Sequence, residues 1–127
     1  MTSPFSILIV DDNPSIASTL EDILEVKGFE VLTANSGAEA LEILRAHPVN
    51  ILLTDVKMPD MDGLALYREA RQIQPAPYTI FMTAYAADDL IRQGLEEGIK
   101  TVLTKPLDIE FLLLLFFAIQ RLHPQAG

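Results

Sequence analysis

The chain has 127 residues, half of them hydrophobic, with no cysteine and a formal net charge of -9. This size suits one domain with a full core, and the lack of cysteine excludes disulfides, thiolate zinc sites and cysteine nucleophiles. The acidic balance disfavours direct binding to nucleic acid or anionic membranes. The longest apolar run, residues 111–119, is far shorter than the roughly 20 residues of a membrane span. We therefore expect a soluble, cytoplasmic protein with no membrane insertion.

Strand and helix patterns alternate five times along the chain, which predicts a parallel sheet with helices on both faces. The first strand is expected over 6–10. The helix after it begins at an Asn13 N-cap followed by a first-turn proline, and Gly28 is expected to end it. Four residues form its apolar stripe at helical spacing: Ile16, Leu20, Ile23 and Leu24.

A second strand near 30–34 leads to a capping box, Ser36 with Glu39, that opens the second helix. The remaining elements follow the same alternation, and proline and glycine residues mark the loops between them. They are a buried strand over 50–54, a loop over 56–63, a helix over 64–74, a strand over 79–82, a helix over 87–97, a strand over 101–104 and a helix over 107–122. This pattern predicts a single domain, 1–127, with its core at about 6–122 and a short tail, 123–127.

Polar residues follow four of the predicted strands at the points where the strands end: Asp11 and Asp12, Asp55, Thr83, and Lys105. The carboxyl ends of parallel strands share one sheet edge, which is where open α/β sheets bind ligands. Adjacent carboxylates repel one another unless a divalent cation relieves them, and Mg²⁺ prefers such oxygen ligands together with phosphate. Asp55 is the candidate nucleophile for phosphorus, with Lys105 and Thr83 as phosphoryl-binding groups.

The chain resembles the receiver domains of bacterial response regulators over about residues 7–122. Each motif alone is weak, but together and in this order they are specific. They are Asp11-Asp12-Asn13, Asp55 with Met58-Pro59 and Asp62-Gly63-Leu64, Thr83-Ala84, and Lys105-Pro106.

The resemblance implies a flavodoxin-like (βα)5 three-layer sandwich with strand order 2-1-3-4-5. It implies that Asp55 accepts a phosphoryl group from a sensor histidine kinase or a histidine phosphotransfer protein. Asp12, Asp55 and the backbone carbonyl of Lys57 would ligate Mg²⁺, or another divalent cation such as Mn²⁺, with Asp11 acting through water. Thr83 and Lys105 would bind the phosphoryl group, and a cis peptide bond would precede Pro106.

Val102 departs from the family pattern, because similar receivers carry Tyr or Phe three residues before the lysine. Without that aromatic ring, the usual relay from Thr83 is not expected to operate. Either another group reports phosphorylation, or the signal passes through the Thr83 loop alone. Tyr85 is a possible substitute, although a place at the site entrance suits it better. Lys57 and Tyr85 are both expected to modulate the lifetime of the acyl phosphate, in a direction that the residues leave open.

The last helix is apolar nearly all round, which is typical of a helix covered on more than one side. Members of the family often dimerise through the surface of helix four, strand five and helix five. We therefore hypothesise a homodimer, or a docked partner domain, and the alternative is that the domain belongs to a longer chain that covers this helix. The expected contact residues are Phe111, Leu114, Leu115 and Phe117.

These features favour a phosphoacceptor switch that modifies its own residue and is not a turnover enzyme. Two alternatives stay open: a degenerate receiver that serves only as an interaction module, and a small aspartyl-nucleophile phosphatase. The phosphatase is less favoured, because such enzymes carry an Asp-x-Asp pattern after the first strand, whereas Asp11 and Asp12 are adjacent. The sequence does not identify the kinase, the pathway or the output. We expect no substantial segment before the first strand, while a continuation past Gly127 stays open.

Overall fold

A computed structural model describes residues 5–73, 75–85 and 88–122 of the chain. Strands and helices alternate throughout this part. The predicted tail, 123–127, lies outside it. The elements are β1 (Ser6–Val10), α1 (Pro14–Val26), β2 (Glu30–Ala34), α2 (Gly37–Ala46), β3 (Ile51–Asp55), α3 (Gly63–Ala70), β4 (Tyr78–Thr83), α4 (Asp89–Glu96), β5 (Thr101–Thr104) and α5 (Ile109–Leu122).

The five strands form one parallel sheet in the order β2-β1-β3-β4-β5, which confirms the predicted α/β sandwich and strand order. Alternate side chains of the central strands face opposite sides of the sheet, so both faces are apolar. One face packs against α1 and α5 and the other against α2, α3 and α4. The three central strands thus lie deep inside, with their carboxyl ends at one edge.

Helix α1 begins as predicted, because the Asn13 side chain accepts hydrogen bonds from two backbone N–H groups of the first turn. Its buried face differs slightly from the predicted stripe. Ala17 is buried together with Leu20 and Leu24, whereas Ile16 and Ile23 are only half-buried. A small residue there lets the helix approach the sheet closely, which an apolar pattern of large residues does not reveal.

Three helices are shorter than predicted. Helix α3 ends at Ala70 instead of residue 74, since the backbone then forms tight turns; residue 74 itself lies outside the described part. Helix α4 begins at Asp89, after Asp88 caps it through the N–H of Leu90; residue 87 of the predicted helix is likewise not described. The side chain of Asp108 accepts a hydrogen bond from the first turn of α5, which therefore starts later than predicted. None of the helices in the described part is long and apolar enough to cross a membrane.

Candidate functional site

The strand-end side chains meet around the ammonium of Lys105, which follows β5. Its Nζ donates to Oδ2 of Asp11 at 2.8 Å and to Oδ2 of Asp55 at 2.7 Å. The three residues come from the ends of β1, β3 and β5. Asp11 is fully buried, and its other oxygen accepts the backbone N–H of Asn13 at 2.9 Å. The predicted sheet edge therefore places one cation between two carboxylates.

Asp12 completes a cluster of carboxylates with Asp11 and Asp55. One oxygen from each of the three side chains lies within 4.8 Å of the others. Asp11 is buried, Asp55 is half-buried and Asp12 is exposed, so the cluster opens to solvent on the Asp12 side. An all-oxygen donor set with an open side fits a hard divalent cation that keeps several of its waters. These residues fit Mg²⁺, which the family resemblance implies.

The charge balance of the site favours a protonated lysine. Partial burial by itself lowers the pKa of Lys105, but the hydrogen bonds and charges of Asp11 and Asp55 outweigh it and raise the pKa above its usual value. The ammonium is therefore present throughout the physiological range. The site contains three carboxylates and one ammonium, so negative charges outnumber positive ones and a bound cation would reduce this excess.

Thr83 ends β4 beside the carboxylates and is buried. Its Oγ1 accepts the backbone N–H of Tyr85 at 2.9 Å, which fixes the start of the β4–α4 loop. Tyr85 itself is 66% exposed. The Lys105–Pro106 peptide bond is cis, as the resemblance implies.

The β3–α3 loop, residues 56–62, is held close to the site by a glycine and an aspartate. A Cβ on Gly63 would lie 2.7 Å from the backbone oxygen of Asp55, so only glycine allows α3 to start this near the strand. Asp60 caps α2 from outside the helix, because its carboxylate accepts the backbone N–H groups of Gly37 and Ala38. These two bonds lower the pKa of Asp60. No pattern in the sequence indicates this contact between the loop and α2.

Lys57 forms a contact that the sequence-based interpretation missed. The sequence suggested that the backbone carbonyl of Lys57 binds metal and that Lys57 modulates the acyl phosphate, but it indicated no partner for its side chain. In the structure, Lys57 Nζ lies 2.9 Å from Oδ2 of Asp88, and the backbone N–H of Lys57 donates to Oδ1 of Asp55 at 3.3 Å. The hydrogen bond to Asp88 raises the pKa of Lys57, and the bonds from Leu90 and Lys57 lower that of Asp88.

Val102 contributes to a small hydrophobic cluster between the sheet and α4. It is half-buried and packs with Phe81, Ile91 and other apolar residues of this cluster. This side chain is too short to swing between the site and the surface as an aromatic ring could. The position therefore serves as packing between β5 and its neighbours.

The four predicted contact residues of α5 lie on different flanks of the helix. Phe111 is 52% exposed and lines a cavity with Val102 and other residues near β5, and Leu114 is 69% exposed. Leu115 is half-buried against the core. The ring of Phe117 lies 5.1 Å from that of Phe29, which immediately precedes β2, and so faces the opposite flank from Phe111. The apolar residues of α5 thus form two surfaces.

The doubly wound sheet, with carboxylates, a hydroxyl and a lysine at its carboxyl edge, defines a class of protein that binds phosphate and metal at that edge. Residues 7–116 match the family model described as "Response regulator receiver domain". The chain belongs to this family, whose members are phosphoacceptor domains of two-component response regulators.

Individual relatives agree with this assignment. The chain is 42% identical to a response regulator receiver protein of Anaeromyxobacter over 84% of its length and 44% of the relative's. It is 31% identical to the crystal structure of a CheY-like receiver domain protein from Methanospirillum hungatei, with a TM-score of 0.85 and coverage of 94% and 96%. The receiver of a beryllofluoride-activated NtrC4 dimer is 29% identical, with a TM-score of 0.79 and coverage of 90% and 94%. Among the curated relatives, the chain spans between 22% and 44% of the relative's length.

Proposed function

We propose that this chain is a phosphoacceptor switch of a two-component or phosphorelay system and that Asp55 receives the phosphoryl group. The observation that carries the proposal is the position of Lys105, whose ammonium joins Asp55 to the buried Asp11 at 2.7 and 2.8 Å. A lysine fixed there can pair with a phosphoryl oxygen as soon as one is attached to Asp55. The core, about 6–122, is proposed to act as one receiver domain.

The proposed transfer uses the carboxylate of Asp55 as nucleophile. One of its oxygens forms a bond to phosphorus while the P–N bond of a donor phosphohistidine breaks, and the leaving imidazole takes up a proton. The product is an aspartyl phosphate. Lys105 pairs with one phosphoryl oxygen and the hydroxyl of Thr83 donates to another. Because the chain modifies its own residue, it is proposed to act as a switch instead of a turnover enzyme.

Asp12, Asp55 and the backbone carbonyl of Lys57 are the proposed ligands of Mg²⁺ or Mn²⁺, with Asp11 acting through water. Three carboxylate oxygens within 4.8 Å of one another support this assignment. When bound, such a cation neutralises charge on the phosphoryl oxygens. Asp11 is the least direct of the candidates, because it is fully buried, whereas Asp55 is half-buried and Asp12 is exposed.

A sensor histidine kinase or a histidine phosphotransfer protein is the proposed phosphoryl donor. It must approach Asp55 at the carboxyl edge of the sheet. A mostly apolar cavity of 590 Å³ lies there between α1 and the start of α5, and Ile16, Lys105 and Pro106 are among its lining residues. An apolar surface next to a reactive carboxylate suits the docking of a helical donor domain.

The exposed apolar residues of α5 support a second partner, either another copy of the chain or a domain that follows it in a longer protein. Two residues of the predicted contact set support this partner. Phe111 is exposed and lines a cavity beside β5, and Leu114 is the more exposed of the two. We propose a homodimer through the surface of α4, β5 and α5. Sedimentation at high protein concentration, with and without beryllofluoride, tests it, and a monomer under both conditions counts against the dimer.

Titration with beryllofluoride, a phosphoryl mimic, tests the switch itself. Wild type should bind the mimic in the presence of Mg²⁺ and lose it with a chelator, while Asp55→Asn should not bind it. Mass spectrometry after incubation with acetyl phosphate should show one added phosphoryl group on wild type alone. If wild type shows no Mg²⁺-dependent binding of the mimic and no added phosphoryl group, the proposal is wrong and the chain is better described as an interaction module. Sustained hydrolysis of a phosphate ester would favour the phosphatase.

A further inference from the structure

Helix α4 is fastened firmly at its carboxyl end. The hydroxyl of Tyr67 and the guanidinium of Arg71, both from the α3 region, donate to the backbone oxygen of Glu97 at 3.0 and 3.3 Å. The guanidinium of Arg68 donates to both side-chain oxygens of the same glutamate. Glu97 is the C-cap of α4, so these contacts tie the end of the helix to α3.

The amino end of α4 is held differently. Asp88 caps the helix through the N–H of Leu90, and its other carboxylate oxygen pairs with Lys57 of the β3–α3 loop. Within α4 itself, only Ile91 and Gly94 are buried among the described residues. The helix thus rests on the sheet through a narrow contact, and the ion pair between the exposed Lys57 and Asp88 joins its amino end to the β3–α3 loop.

Lys57 is well placed to sense the state of Asp55. It follows the acceptor by two residues, and its backbone N–H already donates to Oδ1 of Asp55. Its side chain is 59% exposed and therefore free to change partners, whereas the side chain of Asp88 is only 14% exposed and stays bonded to the helix. A phosphoryl group carries about -1.5 to -2 charges, so it attracts an ammonium more strongly than a single carboxylate does.

We propose that Lys57 is a positioning residue whose ion pair with Asp88, here named the latch, holds the amino end of α4 until Asp55 is phosphorylated. The ammonium then moves from Asp88 to the phosphoryl group, and α4 pivots about its end at Glu97. The proposal rests on the proposed function of Asp55. In this way the movement of Lys57 connects Asp55 with α4. Val102, which packs in the hydrophobic cluster with Phe81, does not make this connection.

The size of the effect follows from the exposure of Lys57. Ion pairs with a solvent-exposed partner are weak, so opening the latch should speed amide exchange in the segment 89–97 by up to about fivefold. The effect is small because the cap from Asp88 to Leu90 persists. It should be local, since the contacts of Glu97 with α3 do not depend on Lys57.

The test is amide hydrogen exchange of the segment 89–97, measured without and with beryllofluoride and Mg²⁺. Fluorine NMR of the bound mimic reports separately whether the site is loaded. In wild type, loading should speed exchange by about two- to fivefold. Lys57→Met and Asp88→Asn should already exchange faster in the resting state and gain little on loading, because asparagine keeps the cap but lacks the charge. Lys57→Arg should restore the wild-type response.

Arg92→Met is the matched control. It removes an exposed ion pair of the same helix, that of Arg92 with Glu96, which has no contact with the site. This variant should keep the wild-type increase on loading. The proposed role of the latch is wrong if the mimic is bound and amide exchange of the segment 89–97 in wild type does not rise. It is also wrong if loading speeds this exchange in Lys57→Met as much as in wild type. Failure of wild type to bind the mimic instead overturns the proposed function and, with it, the movement of Lys57.

Discussion

Asparagine in place of Asp12 should stabilise the protein in the absence of metal. The three carboxylates carry like charges with oxygens within 4.8 Å of one another. At that separation a pair of unit charges repels by about 3.5 kcal/mol at an effective dielectric constant of 20, and by about 0.9 kcal/mol in bulk water. Asp12 is exposed and Lys105 offsets part of the charge. The lower figure applies, and we expect Asp12→Asn to raise the free energy of unfolding by about 1 kcal/mol.

The same substitution should remove the stabilisation that Mg²⁺ gives. A ligand present at about 100 times its dissociation constant stabilises the folded state by about 2.7 kcal/mol. Wild type should therefore gain stability on addition of Mg²⁺, while Asp12→Asn, which lacks one proposed ligand, should gain little. The order of stability of the two proteins should reverse between chelator and saturating Mg²⁺.

Urea unfolding in chelator and in saturating Mg²⁺ measures both effects. Asp22→Asn is the control, since Asp22 is an exposed acidic residue of α1 outside the carboxylate cluster, and the formal charge change is the same. Equal stability of Asp12→Asn and Asp22→Asn in chelator would refute the reasoning, because it would mean that the carboxylates do not repel one another across the site.

Three further substitutions test the support of the site, each by urea unfolding. Lys105→Met should cost about 2 kcal/mol, because it leaves the buried Asp11 without its cation. The raised pKa of Lys105 means that this cost is constant below about pH 10.4 and shrinks as the pH rises through the pKa of the folded state. Gly63→Ala should cost about 1 to 3 kcal/mol by pushing α3 from the backbone of Asp55. Asp60→Ala should cost about 1 kcal/mol at pH 7, and because the pKa of Asp60 is lowered, the cost should fade only as the pH drops below about 3.9.

The sheet and the strand-end residues could be predicted because their signals are regular. Buried parallel strands read as short apolar runs, and the residue after each run must lie at the carboxyl edge. Asp55 and Lys105 are 50 residues apart in the sequence, and they form a hydrogen bond in the structure, as expected from their places at the ends of two strands. The family motifs added the strand order and the cis bond, which no apolar pattern contains.

The contacts made by loop side chains could not be predicted in the same way. The ion pair of Lys57 with Asp88 and the capping of α2 by Asp60 each join loops or helix ends distant in sequence. Loop conformation has no period, so nothing in the sequence aligns such partners. The same limit applied to α5, where an apolar pattern all round the helix did not reveal that Phe117 contacts Phe29 while Phe111 faces β5.

The placement of weak and strong contacts in the molecule constrains how phosphorylation can be transmitted. A change from 1% to 99% of an active state needs about 5.5 kcal/mol of differential binding. A phosphoryl group on Asp55 would gain a charged hydrogen bond from Thr83, worth about 1.5 to 3 kcal/mol, whereas Lys105 already pairs with Asp55 before phosphorylation. This gain is smaller than about 5.5 kcal/mol, so it can shift an element that is lightly held but not one that is firmly packed. The central strands are buried on both faces and cannot respond at this cost, whereas α4 buries two residues and its amino end is held by the ion pair of Asp88 with the exposed Lys57. We therefore expect the sheet to stay fixed and the amino end of α4 to move.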